Sequence, residues 1–149
     1  MLLSVTEIQH YINSGEIILS PFEEKNFKEG SYSFTVRSRV ARVKPASEYN
    51  LGQPAEYEQI DIPEQGYILE PGAFAIFYTL ETIALGNNVL CLLSTRGSVA
   101  KLGIDVLQSS LVVEPGSNSV LALETYNHGP CPIRMIPGIS VIKGIFFRV

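Results

Sequence analysis

The sequence predicts a mainly β protein, a sandwich or barrel with one short helix at its start. Three observations carry this expectation. Tyr32, Phe34, Val36 and Val40 alternate with Ser33, Thr35, Arg37 and Arg39, the period-two pattern of a half-buried strand. Short apolar runs recur along the chain, and Glu70-Pro71-Gly72, Glu114-Pro115-Gly116 and Ile136-Pro137-Gly138 separate them as turns. Many short strands with such punctuation close into sandwiches or barrels.

Ser4 to Glu7 reads SVTE, a capping box in which serine and glutamate each satisfy a free amide at a helix start. Val5, Ile8 and Ile12 give that helix an apolar stripe, and Asn13-Ser14-Gly15 stops it. Beyond Tyr32–Val40, strands are expected at Ile17–Leu19, Tyr67–Leu69, Ala73–Leu80, Val89–Leu93, Ser109–Val113, Ser119–Tyr126 and Val141–Phe147. Lys44 to Glu64 is polar, carries Pro45, Pro54 and Pro63, shows neither period and reads as a long surface loop. A helical turn is expected around Ser98–Leu102.

The 149 residues suit one domain spanning 1–149, with no internal repeat or interdomain linker. Apolar residues make up 46% and charged ones 17%, far from a disordered composition. The mean hydropathy of +0.18 fits apolar surface covered by partner subunits. A net charge of −4 excludes a protein whose main task is gripping nucleic acid, because neutralising phosphates needs a basic surface. The chain shows no secretory leader and no apolar run near the about 20 residues of a membrane span, so no membrane partner and a cytoplasmic location are expected. Cys91 and Cys131 lie in or beside apolar runs without a C-x-x-C pair and read as two buried free thiols.

Phosphate-loop, dinucleotide and nucleophile-elbow motifs are absent, as is the zinc-deaminase signature. His10 and His128 are too few for a zinc site or a serine triad. Chemistry is left to carboxylates, hydroxyls and cations, and three places supply them. In LSTRGSVAKLGIDV, Arg96 and Lys101 offer charge, Ser98 a hydroxyl, and Gly97 close backbone approach, which together suit a polyphosphate. On pattern alone, a connection with solvated charges is the more economical account. Glu124 shares strand parity with Val120 and Ala122, placing a carboxylate where its neighbours suggest burial and where it could move protons to and from water. An ordinary strand-end glutamate facing solvent fits equally well. Glu114 precedes Pro115-Gly116 at the mouth of a hairpin leading to Glu124, and as a turn residue it needs no other explanation.

Taken together, these stretches resemble the dCTP deaminase and dUTPase superfamily, and the deaminase branch more closely. MLLSVTEIQHYINSGEIILSPF is similar to the family's first helix and strand, and GSYSFTV to its S-Y-D-x-R-L segment. YILEPGAFAIFYTLETIAL is similar to x-L-x-P-G-E-x-x-L-x-x-T-L-E-x-x-x-L, and TRGSVAKLGI to G-R-S-S-L-A-R-x-G-L. EPGSNSVLALETYNHGPCPIRMIPGISVIKGIFF follows D-P-G-W-x-G-x-x-x-L-E-x-x-N and the P-G-x-x-I-x-x-x-x-F ending. Each motif is loose, but their order and spacing are specific.

The resemblance implies a distorted jelly-roll β-barrel, dUTPase-like and of the β-clip kind, assembled as a homotrimer with nucleotide sites between subunits. It implies that Arg96, Gly97, Ser98 and Lys101 hold the triphosphate of a pyrimidine deoxynucleotide together with its Mg²⁺. Glu124 would act as general base and acid in the zinc-free hydrolysis of dCTP to dUTP and ammonia, and Ser110 would back the base. Glu114 stands at the position of the catalytic aspartate of dUTPases. A dUTPase or bifunctional enzyme is therefore one alternative, and a noncatalytic nucleotide-binding or interaction trimer is another. This chain departs from the pattern at Gly97 in place of serine, Lys101 in place of arginine, Leu111-Val112 in place of polar or basic residues, and Ser117-Asn118 in place of an aromatic start to the turn. The resemblance stops at Phe146-Phe147-Arg148-Val149, without the tail that closes over the nucleotide in the family.

Overall fold

The computed structural model describes residues 1–149. Helix α1 (Val5–Asn13) starts at the capping signature: Ser4 Oγ accepts from the Glu7 amide at 3.3 Å, and the Ser4 amide donates to Glu7 Oε2 at 2.8 Å. Those bonds satisfy amides that the helix cannot. The bonds from the Ser4 backbone and hydroxyl hold the Glu7 carboxyl below its ordinary pKa. Of the apolar stripe, Ile8 is fully buried, Ile12 partly, and Val5 lies largely in solvent.

Next come β1 (Ile17–Ser20), a 3₁₀ turn (Glu24–Asn26), β2 (Phe27–Lys28) and β3 (Ser31–Val43). They are followed by β4 (Tyr57–Asp61), β5 (Tyr67–Leu69), β6 (Phe74–Leu85), β7 (Val89–Thr95) and the short helix α2 (Gly97–Ala100). The chain ends with β8 (Ile104–Asp105), β9 (Val112–Val113), β10 (Asn118–Asn127), β11 (Ile133–Met135) and β12 (Ser140–Arg148). Ten strands form one curled antiparallel sheet in the order β8-β10-β6-β3-β12-β7-β9, with β1 on β6 and both β2 and β4 on β3; β5 and β11 form a separate pair.

Strand β3 makes the curl. Its residues Ser31 to Thr35 pair with β12, whereas Val36, Val40 and Ala41 pair with β6, and Arg39 to Val43 with β4. A strand that changes partners at a bulge turns a corner, as a jelly roll requires. The corner frees backbone groups, and side chains take them up. Arg37 donates to the carbonyls of Thr79 and Leu80 at 3.2 and 3.1 Å. Thr79 Oγ1 accepts from the Leu121 amide at 2.9 Å where β6 bulges against β10. Glu81, only 1% exposed, accepts from the Thr35 amide at 2.9 Å and the Thr35 hydroxyl at 2.7 Å. No buried side-chain polar atom lacks a partner, so these side chains carry no unpaired-group penalty.

The predicted alternation of β3 holds: Tyr32, Phe34, Val36 and Val40 are buried in one apolar cluster of 25 residues. Several expectations change. The expected loop at 44–64 contains β4, whose register on β3 runs Tyr57↔Val43 to Asp61↔Arg39. Only Ile60 of that edge strand is even half buried, so it leaves no apolar periodicity to read. The strand expected at Ser109–Val113 shrinks to β9, because Ser110 Oγ bonds both the carbonyl and the amide of Val112 and folds the chain back locally. Strand β6 continues to Leu85 instead of stopping at Leu80, and β2, β8 and β11 are additional short strands. Cys91 is buried, but Cys131 is exposed in the turn after β10.

Candidate functional site

The bend at 96–101 is fixed to the sheet from two sides. Arg96 caps α2 in an extended conformation, and its amide donates to the Val141 carbonyl of β12 at 2.9 Å. Its Nη1 donates to Ser33 Oγ on β3 at 3.0 Å. Arg96, Gly97 and Ser98 line a cavity of about 590 Å³ that no hydrophobic residue touches. Lys25, Lys28 and Lys143 line it as well, and Glu29 is its only carboxylate. Lys101, at the other end of α2, is exposed and is not one of the lining residues.

Glu124 sits on β10 with its carboxylate outside the apolar core. Leu123, Thr125 and Asn127 point inward and are buried; Ala122 is exposed and Glu124 half buried on the opposite face. The face carrying Val120 and Ala122 is therefore the outer one, contrary to the burial that their apolar character suggests. Parity groups residues on a face without saying which face is the core when both carry apolar side chains. Ser109 Oγ donates to Glu124 Oε1 at 2.8 Å and fixes the carboxylate. Ser109, Ser110, Glu114 and Glu124 all line a second cavity of about 370 Å³, bordered by seven hydrophobic residues and by no lysine or arginine.

Within one protomer, the cationic cavity and the carboxylate cavity share no lining residue. They are nonetheless tied to one frame. Strand β8, which follows α2, pairs with the end of β10 through Asp105↔Tyr126. The His128 amide donates to the Gly103 carbonyl at 2.8 Å, and Gly103 and Gly129 approach so closely that a Cβ on Gly103 would lie 2.7 Å from the Gly129 nitrogen. Buried Asn127 holds the same turn, donating to the carbonyls of Leu69 and Cys131 and accepting from the Gly129 amide.

Sequence reasoning named Ser110 but missed Ser109, whose hydroxyl is the one that reaches Glu124. It also missed the three lysines of the cationic cavity. Lys143 left a trace, a charge interrupting the apolar run of β12; Lys25 and Lys28 sit in turn-rich sequence where a cation carries no signal.

A curled antiparallel sheet of the jelly-roll kind, carrying one cation-lined and one carboxylate-lined cavity, places the chain in the dUTPase-like class of β-barrel folds. Within that class the chain belongs to the dCTP deaminase-like family, whose model matches residues 2–149. It is 32% identical over 164 residues to the dCTP deaminase of Haemophilus influenzae, covering 100% of this chain and 83% of that one. It is 30% identical over 156 residues to the dUMP-forming dCTP deaminase of Beutenbergia cavernae, covering 100% of this chain and 80% of the relative. Among solved structures, the 2′-deoxycytidine 5′-triphosphate deaminase from Agrobacterium tumefaciens shares the fold with a TM-score of 0.77 at 18% identity over 99% of this chain. This chain spans 48% of that one.

Proposed function

We propose that the protein hydrolyses dCTP to dUTP and ammonia, with Glu124 as the proton-transferring group. The observation that carries this reading is the Ser109-held Glu124 carboxylate, which lines a cavity free of cations. In the proposed reaction, a water oxygen attacks the cytosine ring carbon bearing the amino group, and Glu124 takes the proton that the water gives up. The exocyclic carbon–nitrogen bond then breaks as Glu124 returns that proton to the departing nitrogen, and the second water proton passes from the new hydroxyl to the ring nitrogen, leaving a carbonyl, a ring N–H and ammonia. Ser110 backs the base. Arg96, Gly97 and Ser98, which line the cationic cavity, hold the triphosphate, and exposed Lys101 reaches it from outside that cavity.

A triphosphate has no counter-charge in the Glu124 cavity, so the phosphate and base ends of one nucleotide need both cavities. A homotrimer supplies this by placing the 96–101 bend of one subunit beside Glu124 of the next. The exposure of Leu111 and Val112, 52% and 40%, next to that cavity supports a covering copy. Mg²⁺ belongs to this reading as part of the substrate, bound through triphosphate oxygens. The single carboxylate among four cations in the phosphate cavity is not a donor set that fits a resident divalent ion.

A second reading is favoured by Glu114, which lines the same cavity as Glu124, and by the dUMP-forming relative. There Glu114 activates water against the α-phosphate of dUTP, releasing pyrophosphate. Incubation with dCTP and with dUTP, each with Mg²⁺, separates these readings by product. Formation of dUTP and ammonia from dCTP supports the first; dUMP and pyrophosphate from dUTP support the second, with ammonia from dCTP as well if the enzyme is bifunctional. Turnover of neither nucleotide overturns both and leaves a noncatalytic binding role.

A further inference from the structure

Three of the chain's five lysines, Lys25, Lys28 and Lys143, come from three separate segments to line one cavity with Arg96. The sheet register explains how. Ser31 and Ser33 point outward from β3 between buried Tyr32 and Phe34. Lys28 is the cross-strand partner of Ser31 on β2, Lys143 is the partner of Ser33 on β12, and Arg96 donates to Ser33 at 3.0 Å. Two hydroxyls thus lie between cations on both flanking strands, with Ser98 opposite on α2. The chain's two ion pairs, Arg39–Asp61 and Arg42–Glu58, lie elsewhere, so no carboxylate stands within 4.0 Å of these four cations. In a chain of net charge −4, this gathering of unneutralised positive charge creates a local attractive field for an anion. The absence of hydrophobic lining suits a fully polar occupant.

We infer that Lys25, Lys28 and Lys143 form, with Arg96, a polyphosphate-binding cavity, so that the phosphate chain of the ligand is gripped from the 3₁₀ turn, the β2–β3 hairpin and β12 as well as from the 96–101 bend. The inference rests on the proposed nucleotide reading only for what the phosphate chain is attached to. Charged donors on a phosphate chain form strong hydrogen bonds, and the serine hydroxyls add directional ones. Several cations acting together also favour a chain of phosphates over a single one.

The test is calorimetric titration with inorganic tripolyphosphate, at two salt concentrations, of the wild type, Lys143→Gln, the Lys25→Gln/Lys28→Gln pair and Lys44→Gln, each checked for native circular dichroism. Wild type should bind tripolyphosphate more tightly than orthophosphate. Lys143→Gln and the paired variant should each weaken tripolyphosphate binding about tenfold and flatten its salt dependence, and Lys44→Gln, outside the cavity, should change neither. Wild-type protein that ignores tripolyphosphate, or lysine variants that bind it with unchanged affinity and salt slope, would overturn the inference. Lysine-dependent binding without turnover of dCTP or dUTP would uphold this cavity while removing the deaminase reading. Turnover with a KM insensitive to the lysines would do the reverse.

Discussion

The Ser109 hydroxyl donates to Oε1 of Glu124 at 2.8 Å, joining two residues 15 positions apart in the chain. No protein group donates to Oε2, so one carboxylate oxygen is held and the other is left to meet water. Under the proposed reaction, Glu124→Gln removes the proton carrier while keeping the side chain's shape. Ammonia release from dCTP should fall by about 10²–10⁴-fold, with nucleotide binding retained in a direct titration. Ser109→Ala keeps the carboxylate but frees its orientation, and should lower kcat about tenfold with KM nearly constant. A Glu124→Gln enzyme with wild-type turnover would take Glu124 out of the chemistry.

Gly144 sits where β12 runs closely packed between β3 and β7. It lies between Tyr32 on β3 and Leu93 on β7, and an added Cβ would run into Cys91 Sγ and come within 3.1 Å of Phe34 Cε2. Phe34 and Cys91 are both fully buried, so neither can swing into solvent. Gly144→Ala should therefore cost about 1–3 kcal/mol through overpacking. A chain of this size loses about 2–4 °C in Tm per kcal/mol. Thermal melts at a fixed protein concentration measure it, and an unchanged Tm would show that the strands can part there freely.

What was legible in the sequence follows physical strength of signal. The capping box at Ser4–Glu7 and the alternation through Tyr32 and Val40 are local patterns tied to strong burial or paired bonds, and both are realised. Strand β4 was hidden because an edge strand with polar faces on both sides has no burial contrast to encode. The parity of Glu124 was legible but its direction stayed open between core and solvent, since Leu121 and Leu123 on one face and Val120 and Ala122 on the other are both apolar. Arg96, Gly97 and Ser98 were legible as a group because they are contiguous. Lys25, Lys28 and Lys143 join them only through the registers of β2 and β12 on β3, which no local pattern specifies.

The two thiols should differ sharply. Burial pushes the Cys91 thiol up to about 12, whereas Cys131 is exposed. A thiol-specific reagent at neutral pH should label Cys131 alone in the native protein and both cysteines after denaturation. The same shift sets a pH dependence. The folded pKa lies above the ordinary 9.0, so an unfolded chain releases this proton first. The contribution of Cys91 is fully present below pH 9.0 and declines as pH rises from there towards about 12. Urea unfolding of wild type and Cys91→Ala across that range isolates it: the stability difference between them should shrink as pH rises, and a constant difference would contradict the burial-driven shift.

Glu29 occupies the tip of the β2–β3 hairpin, between the register partners Lys28 and Ser31. Its φ is +51° and that of Gly30 is +78°, the two positive values of a type I′ turn. Glycine adopts this freely, but a glutamate there carries a Cβ penalty of about 1–2 kcal/mol, which asparagine largely avoids. Glu29→Asn creates the Asn-Gly pair that such turns favour and should raise stability by up to about 1 kcal/mol in urea unfolding. Glu29 is also the only carboxylate lining the cationic cavity, so removing its charge should strengthen tripolyphosphate binding several-fold, most at low salt. Glu29→Gln separates the two effects, because it removes the charge while keeping the side chain that the turn disfavours. It should reproduce the gain in binding without the gain in stability. If Glu29→Gln leaves tripolyphosphate affinity unchanged at low salt, the hairpin tip does not sense the phosphate chain.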